Sequence, residues 1–204
     1  MPLRTHGEFL AFDTEDDVIY VPVNRADGGD ILAEVRQISL CFNVGYVCRD
    51  DDCNLSRFDG QVFIWGHGNK TAKGVYTSDG RALAKQIVDD LIAKRLPNNS
   101  KVVLWSCFSG NTGGMAQSLW LTFEGSTRTG IRVYAPKYAT GSMTNFKGER
   151  DVTGLMIYGT NRGLAKGGVL IPSNTMNWHG SPSLAKPEDM VAINSRAGMV
   201  AAEV

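Results

Sequence analysis

No stretch of this 204-residue chain approaches the ~20 consecutive apolar residues of a membrane-spanning helix. Residues 1–8 contain no apolar core of a secretory signal, so we expect the chain to be cytoplasmic, or to be delivered elsewhere by a route that leaves no such signal. The formal net charge is zero, so nothing in the overall balance indicates nucleic acid or an anionic membrane as a partner. Four cysteines are too few for a disulfide scaffold.

The length suits one sizeable hydrophobic core, and we expect residues 1–204 to form a single domain. Beyond Gly159 the apolar periodicity ends and Gly and Pro recur, which predicts that residues 160–204 form an extended segment that wraps the core or is partly mobile.

Charge is distributed unevenly along the chain. Residues 1–60 carry twelve acidic residues against five arginines, whereas residues 128–166 carry seven bases against two acids. One interpretation is an ordinary solvated surface, and the other is an anion pocket in the basic stretch. The residues of that pocket would be Arg128, Arg132, Lys137, Lys147 and Arg150.

Two short apolar runs, residues 62–65 and 102–105, have the pattern of strands buried on both faces. The first leads into Gly66, His67 and Gly68, and the second into Ser106 and Cys107. A helical stretch over residues 80–95 lies between them, which predicts a parallel strand–helix–strand unit. Because parallel strands end at the same edge of a sheet, we expect His67 and Cys107 to meet there.

The remaining elements predict the fold class. We expect strands over residues 18–23, 41–48, 131–135 and 152–158, and further helices over residues 30–40 and 114–123, the first of them capped by Asp30. Such alternation is typical of an α/β fold with a mostly parallel central sheet flanked by helices.

A thiol and an imidazole at one sheet edge are the pair needed for nucleophilic catalysis. Taken singly, a loop histidine is most often a surface residue and a lone cysteine a small buried hydrophobe. The glycines beside His67 permit close backbone approach, and the Gly68 amide is placed to donate to an oxyanion. A helix start and an imidazole near Cys107 would favour its thiolate.

Three other chemistries leave their own patterns. A phosphatase loop needs an arginine a few residues after the cysteine, but Gly113 and Gly114 stand there. A serine-hydrolase elbow needs Gly-x-Ser-x-Gly, which neither Ser106 nor Ser109 has. A zinc site would draw on Cys41, Cys48, Cys53 and His67 without any Cys-x-x-Cys pair, and a Cys48–Cys53 disulfide is a further weak alternative.

The two motif strands, together with residues 131–136 (Ile-Arg-Val-Tyr-Ala-Pro), resemble the caspase-like cysteine peptidases of the caspase–hemoglobinase fold. Within that group, residues 60–142 are most similar to the autoprocessing cysteine protease domains of bacterial toxins. The resemblance implies that Cys107 is the nucleophile, that His67 is the acid–base, and that the amides of Gly68 and Cys107 form the oxyanion hole. It implies no metal, and a protein or peptide substrate.

The same resemblance implies that an inositol hexakisphosphate-like activator binds a Lys/Arg cluster, although the basic stretch here contains no adjacent Lys/Arg pair. A bacterial effector or toxin protease is the corresponding biological setting. The competing hypotheses are a non-catalytic binding module with this fold, and another thiol hydrolase or acyltransferase with the same dyad. Since the sequence contains both dyad members, it favours an enzyme.

Overall fold

Strands and helices alternate along the first two thirds of the chain, as the apolar runs predict. In this computed structural model the described residues are 16–68, 74–77, 80–111, 113–136, 139–144, 152–158, 190–195 and 198–201. The strands are β1 (Val18–Val21), β2 (Gly45–Cys48), β3 (Gln61–Trp65), β4 (Gly74–Thr77), β5 (Gly80–Leu83), β6 (Lys101–Trp105), β7 (Arg132–Pro136), β8 (Ala139–Thr144), β9 (Val152–Tyr158), β10 (Met190–Ser195) and β11 (Gly198–Ala201). The helices are α1 (Gly29–Phe42), α2 (Ala84–Ala93) and α3 (Met115–Glu124), with single 3₁₀ turns at Arg25–Asp27 and Leu55–Arg57.

The central sheet has seven strands in the order β11-β10-β7-β6-β3-β1-β2. The five strands from β7 to β2 run parallel to their neighbours, while β10 and β11 are antiparallel. The predicted α/β fold with a mostly parallel central sheet is therefore confirmed.

Helices cover both faces of this sheet. The apolar stripes of α2 and α3, including Leu91 and Leu119, form one core with Val62, Ile64 and Leu104. The stripe of α1 forms a second core with the alternate residues of the same strands. Because side chains alternate across a strand, β3 and β6 must be apolar at nearly every position, which explains their continuous apolar runs.

Two predicted boundaries were wrong, and so was the predicted cap: α1 begins at Gly29 after the N-cap residue Gly28, so Asp30 lies within its first turn. The expected strand over residues 41–48 is in fact the end of α1 followed by the shorter β2. Asn43 ends the helix in the left-handed region, at φ +52°, and its N–H donates to the Ser39 carbonyl. The predicted helix over residues 80–95 begins only at Ala84, since Gly80–Leu83 form a strand that pairs with β4.

Strands also occur where the sequence predicts little order. β10 pairs with the central strand β7, so part of the Gly/Pro-rich segment 160–204 belongs to the main sheet. Residues 159–189 lie outside the described residues, so the prediction that they wrap the core remains a prediction. No helix in the described ranges is long and apolar enough to cross a bilayer.

Candidate active site

The register of two neighbouring parallel strands fixes the positions of His67 and Cys107. β3 and β6 pair along their whole length, and the last paired residues are Trp65 and Trp105. The Gly66 amide extends the ladder by donating to the Trp105 carbonyl at 3.4 Å. His67 and Cys107 are each the second residue beyond that pair, so the predicted juxtaposition at the carboxyl edge follows from the pairing itself.

The backbone at Gly68 lies directly against the chain around Cys107. A Cβ placed on Gly68 would stand 2.2 Å from Ser106 Oγ, 2.6 Å from the Cys107 carbonyl oxygen and 3.2 Å from the Cys107 nitrogen. No side chain fits in that space, so glycine is what allows the two segments to approach this closely.

A short hairpin holds the backbone of His67. The His67 N–H donates to the Tyr76 carbonyl and the Tyr76 N–H donates to the His67 carbonyl, both at 2.9 Å. The paired residues of such a bridge project their side chains to the same side, so the exposed imidazole and the Tyr76 ring, 38 % exposed, are neighbours. The hairpin β4–β5 therefore fixes the main chain of His67 and leaves its side chain accessible.

The turn after β6 holds Cys107. Ser109 Oγ donates to the Ser106 carbonyl at 2.6 Å, and the Gly110 N–H donates to the Pro136 carbonyl at the end of β7 at 2.9 Å. Phe108 adopts φ +56°, a left-handed conformation that is uncommon for a bulky residue and often marks a functional turn. Helix α3 begins only at Met115, so the turn separates Cys107 from the helix start that we expected beside it.

The Cys107 thiol is half-buried and contacts Thr140 of the hairpin β8–β9. Its Sγ accepts from the Thr140 N–H at 3.3 Å, donates to the Thr140 carbonyl at 3.4 Å, and lies 3.6 Å from Thr140 Oγ1. In the described part of the chain β8 pairs with β9 on one side, with Thr140 opposite Ile157. The amide and carbonyl of Thr140 therefore face the sulfur from the other edge of β8.

The Gly68 and Cys107 amides, which the resemblance predicts as oxyanion donors, lie close together at this edge. Among the described residues, no hydrogen bond uses either amide as a donor. Two neighbouring N–H groups without a protein acceptor can both bind an anion that forms on a substrate.

A stacked tryptophan pair lies beneath the site. The Trp65 and Trp105 rings are 5.7 Å apart at an interplanar angle of 23°, and both residues are buried in the core under α1. Trp65 Nε1 donates to Glu34 Oε2 at 3.3 Å. Both rings therefore pack in the core on the α1 side of the sheet, on the strand ends that lead into His67 and Cys107.

Two of the five predicted anion-binding residues lie in the described part of the chain. Arg132 opens β7 opposite Lys101, the first residue of β6, which places it at the amino edge of the sheet. Arg128 lies four residues before it and has a buried Nε without a hydrogen-bond partner in the described structure. The other three predicted residues, Lys137, Lys147 and Arg150, lie outside the described residues.

Two of the remaining cysteines lie at or after the end of β2, which β3 and β1 separate from β6 in the sheet. Cys48 is buried at the end of β2 and Cys53 is half-buried beyond it, and both are free thiols. Burial raises the pKa of each thiol, which disfavours the thiolate. The side chain of Cys41 lies outside the described residues, and no group of three or more His, Cys, Asp or Glu in the described ranges has an arrangement suited to a metal ion.

Sequence reasoning missed Tyr76 and Thr140, which in the described part of the chain hydrogen-bond His67 and Cys107 respectively. Both lie on short strands without a continuous apolar run, and only the tertiary pairing brings them to the sheet edge. No protein-family model and no curated protein matches the chain.

Proposed function

We propose that this protein is a cysteine endopeptidase with a Cys107–His67 dyad. The observation that carries the proposal is the matching register of the two residues beyond the Trp65–Trp105 pair. Both residues follow strands that end at the same edge of the sheet, one with an exposed imidazole and the other with a half-buried thiol. This supports a pairing in which the imidazole activates the sulfur for attack on a carbonyl.

The chemistry follows from these groups. Cys107 transfers its proton to His67, and the thiolate adds to the scissile carbonyl to give a tetrahedral oxyanion. The amides of Gly68 and Cys107 donate to that oxyanion. The bond to the leaving amine breaks as His67 returns the proton to its nitrogen, which leaves a thioester on Cys107. Water, deprotonated by His67, then hydrolyses the thioester and restores the thiol.

The strand next to the sulfur supports a peptide substrate. The Thr140 N–H and carbonyl face Cys107 from an edge of β8 that has no strand partner in the described structure. An extended peptide adds to such an edge through main-chain hydrogen bonds. Substrate would then replace the sulfur as the partner of Thr140 and bring its own carbonyl to the thiol.

The test is active-site labelling with a tagged, irreversible thiol-directed peptide inhibitor, followed by mapping of the modified residue. We expect the tag on Cys107, strong loss of labelling in His67→Ala, and cleavage of a peptide library by the wild-type chain but not by Cys107→Ala. The Cys107→Ala variant should melt within a degree or two of wild type, because a half-buried thiol contributes little packing.

Cys53→Ala is the matched control, since it removes another half-buried free thiol, which follows β2 at the opposite end of the strand order from β10 and β11. Cys48→Ala and Cys41→Ala complete the series, and all three variants should retain turnover. Full peptidase activity in Cys107→Ala, or equal labelling of Cys53 and Cys107, contradicts the proposal. A wild-type chain that binds peptides but forms no adduct favours the non-catalytic binding module.

A further inference from the structure

The residue directly before the proposed nucleophile has a buried hydroxyl without a partner. Ser106 is 1 % exposed, and its Oγ makes no hydrogen bond in the described part of the chain. Its main chain is satisfied, since its N–H donates to the Leu104 carbonyl at 3.1 Å and its carbonyl accepts from Ser109 Oγ at 2.6 Å. The orphan group is therefore the side-chain hydroxyl alone.

Such a hydroxyl is unfavourable for folding. A buried hydroxyl without a hydrogen bond is less stable than an apolar group of the same shape, so alanine would suit this position better in the resting fold. A buried polar group without a partner calls for an explanation, and a role in catalysis is one of them.

The surroundings of the hydroxyl indicate what that role is. Ser106 Oγ lies 2.2 Å from the point where a Cβ of Gly68 would stand, and the Cys107 nitrogen lies 3.2 Å from the same point. The hydroxyl is thus adjacent to both residues whose amides are the candidate oxyanion donors. Since a serine hydroxyl proton rotates freely, it turns toward an acceptor when one forms.

We propose that the Ser106 hydroxyl is a third donor to the oxyanion of the tetrahedral intermediate. This inference rests on the proposed peptidase function. A tetrahedral oxygen anion has three lone pairs, so it accepts a hydroxyl in addition to the two amides. Because the hydroxyl has no partner among the described residues of the resting protein, the bond it gains exists only when the anion forms. That difference between ground state and transition state accelerates the chemical step rather than substrate binding.

The test compares Ser106→Ala with wild type in turnover and in thermal unfolding. We expect kcat to fall roughly 100-fold, the scale for loss of one oxyanion donor, with KM nearly unchanged. The melting temperature should stay equal or rise, because the substitution removes a buried hydroxyl that has no partner. Affinity for a peptide aldehyde, which forms a tetrahedral adduct with the thiol, should fall in parallel with kcat. Binding of the uncleaved peptide, measured in the Cys107→Ala background with and without Ser106→Ala, should not change.

Ser109→Ala is the matched control, because its buried hydroxyl is bonded to the Ser106 carbonyl. It should lower the melting temperature, the opposite of the change expected in Ser106→Ala. The third-donor proposal is overturned if Ser106→Ala keeps the wild-type kcat, or if its melting temperature falls as that of Ser109→Ala does. Either result leaves the peptidase proposal unaffected. A wild-type chain that forms no aldehyde adduct and cleaves no peptide overturns the peptidase proposal and this inference together.

Discussion

His67 and Cys107 stand at the same register position on two neighbouring parallel strands, each two residues beyond the paired Trp65 and Trp105. Each is held by a different hairpin, His67 through its main chain by Tyr76 and Cys107 through its sulfur by Thr140. The strands thus set the spacing of the two residues along the sheet edge, while a different hairpin contacts each of them.

Loss of the imidazole should remove the proton chemistry without unfolding the chain. We expect His67→Ala to reduce kcat/KM by at least ~100-fold, the scale of general acid–base catalysis. The melting temperature should change little because the side chain is exposed. His179→Ala and His6→Ala serve as controls and should remain active. A comparable loss in His179→Ala, together with an active His67→Ala, would show that the wrong histidine is paired with the thiol.

A single methyl group at Gly68 should separate the two halves of the site. A Cβ there meets Ser106 Oγ at 2.2 Å and the Cys107 carbonyl at 2.6 Å, so the segments must move apart in Gly68→Ala. Because misplacement of about 1 Å costs roughly 100-fold in rate, we expect a loss of that order in peptide cleavage. Gly45→Ala is the control, since its Cβ would meet nothing within 4 Å. Equal activity of both variants would contradict the close packing at residue 68.

A polyphosphate effector that binds Arg128 and Arg132 should act on Cys107 from the amino edge of the sheet, opposite the edge where Cys107 lies. About 13 Å of extended strand separate Arg132 from Pro136, whose carbonyl holds the turn of Cys107. Inositol hexakisphosphate that binds only the folded state should raise the free energy of unfolding by about 2.7 kcal/mol at a hundredfold excess over Kd. The melting temperature should rise with it.

The effector prediction is checked by a thermal shift that weakens with salt and in Arg128→Gln and Arg132→Gln. Arg81→Gln, in the hairpin β4–β5, is the charge-matched control. If millimolar effector changes neither the melting temperature nor the activity, the prediction of an inositol hexakisphosphate-like activator is wrong. The peptidase proposal is then unaffected.

The parts of this fold that a sequence reveals are those governed by burial. β3 and β6 are buried on both faces, so their apolar runs are continuous and their ends mark His67 and Cys107. The hairpins β4–β5 and β8–β9 are short, and their pairing depends on distant residues. Thr140 could not be linked to Cys107 from the sequence, because 33 residues separate them and no local pattern connects a threonine to a sulfur.

The charge pattern of the basic stretch 128–166 stays a prediction. In the described part of the chain, β7 carries Arg132 at the amino edge of the sheet and ends at the carboxyl edge. Lys137, Lys147 and Arg150 lie outside the described residues, so the structure does not test the anion pocket.

The buried Lys94 should stabilise the loop after β2 through its hydrogen bonds to that loop. Lys94 is 7 % exposed, and its Nζ donates to the carbonyls of Arg49 at 2.8 Å and Asp51 at 2.6 Å. Lys94→Met leaves both carbonyls without this donor, and we expect a loss of about 2 kcal/mol in the free energy of unfolding. Lys85→Met is the control: its exposed pair with Asp89 on the same helix should contribute less than about 0.5 kcal/mol. Urea unfolding should show the larger loss in the free energy of unfolding for Lys94→Met. Equal unfolding midpoints of the two variants would contradict a stabilising role for Lys94.

Asp51, in the same loop, should make the free energy of unfolding depend on pH in the acid range. The Arg25 guanidinium, whose Nε donates to Asp51 Oδ1 at 2.9 Å, holds the pKa of Asp51 below its ordinary value of 3.8, and the Cys48 amide adds to this effect. A depressed folded-state pKa means that the carboxylate contributes stability above pH 3.8, and that this contribution is lost as the pH falls through the folded-state pKa. The difference in free energy of unfolding between wild type and Asp51→Asn should therefore be constant near neutral pH and should shrink below pH 3.8. Asp52→Asn, which removes the exposed neighbouring carboxylate, controls for the change in net charge. A difference that grows on acidification would show that Asp51 is not stabilised as a carboxylate in the folded protein.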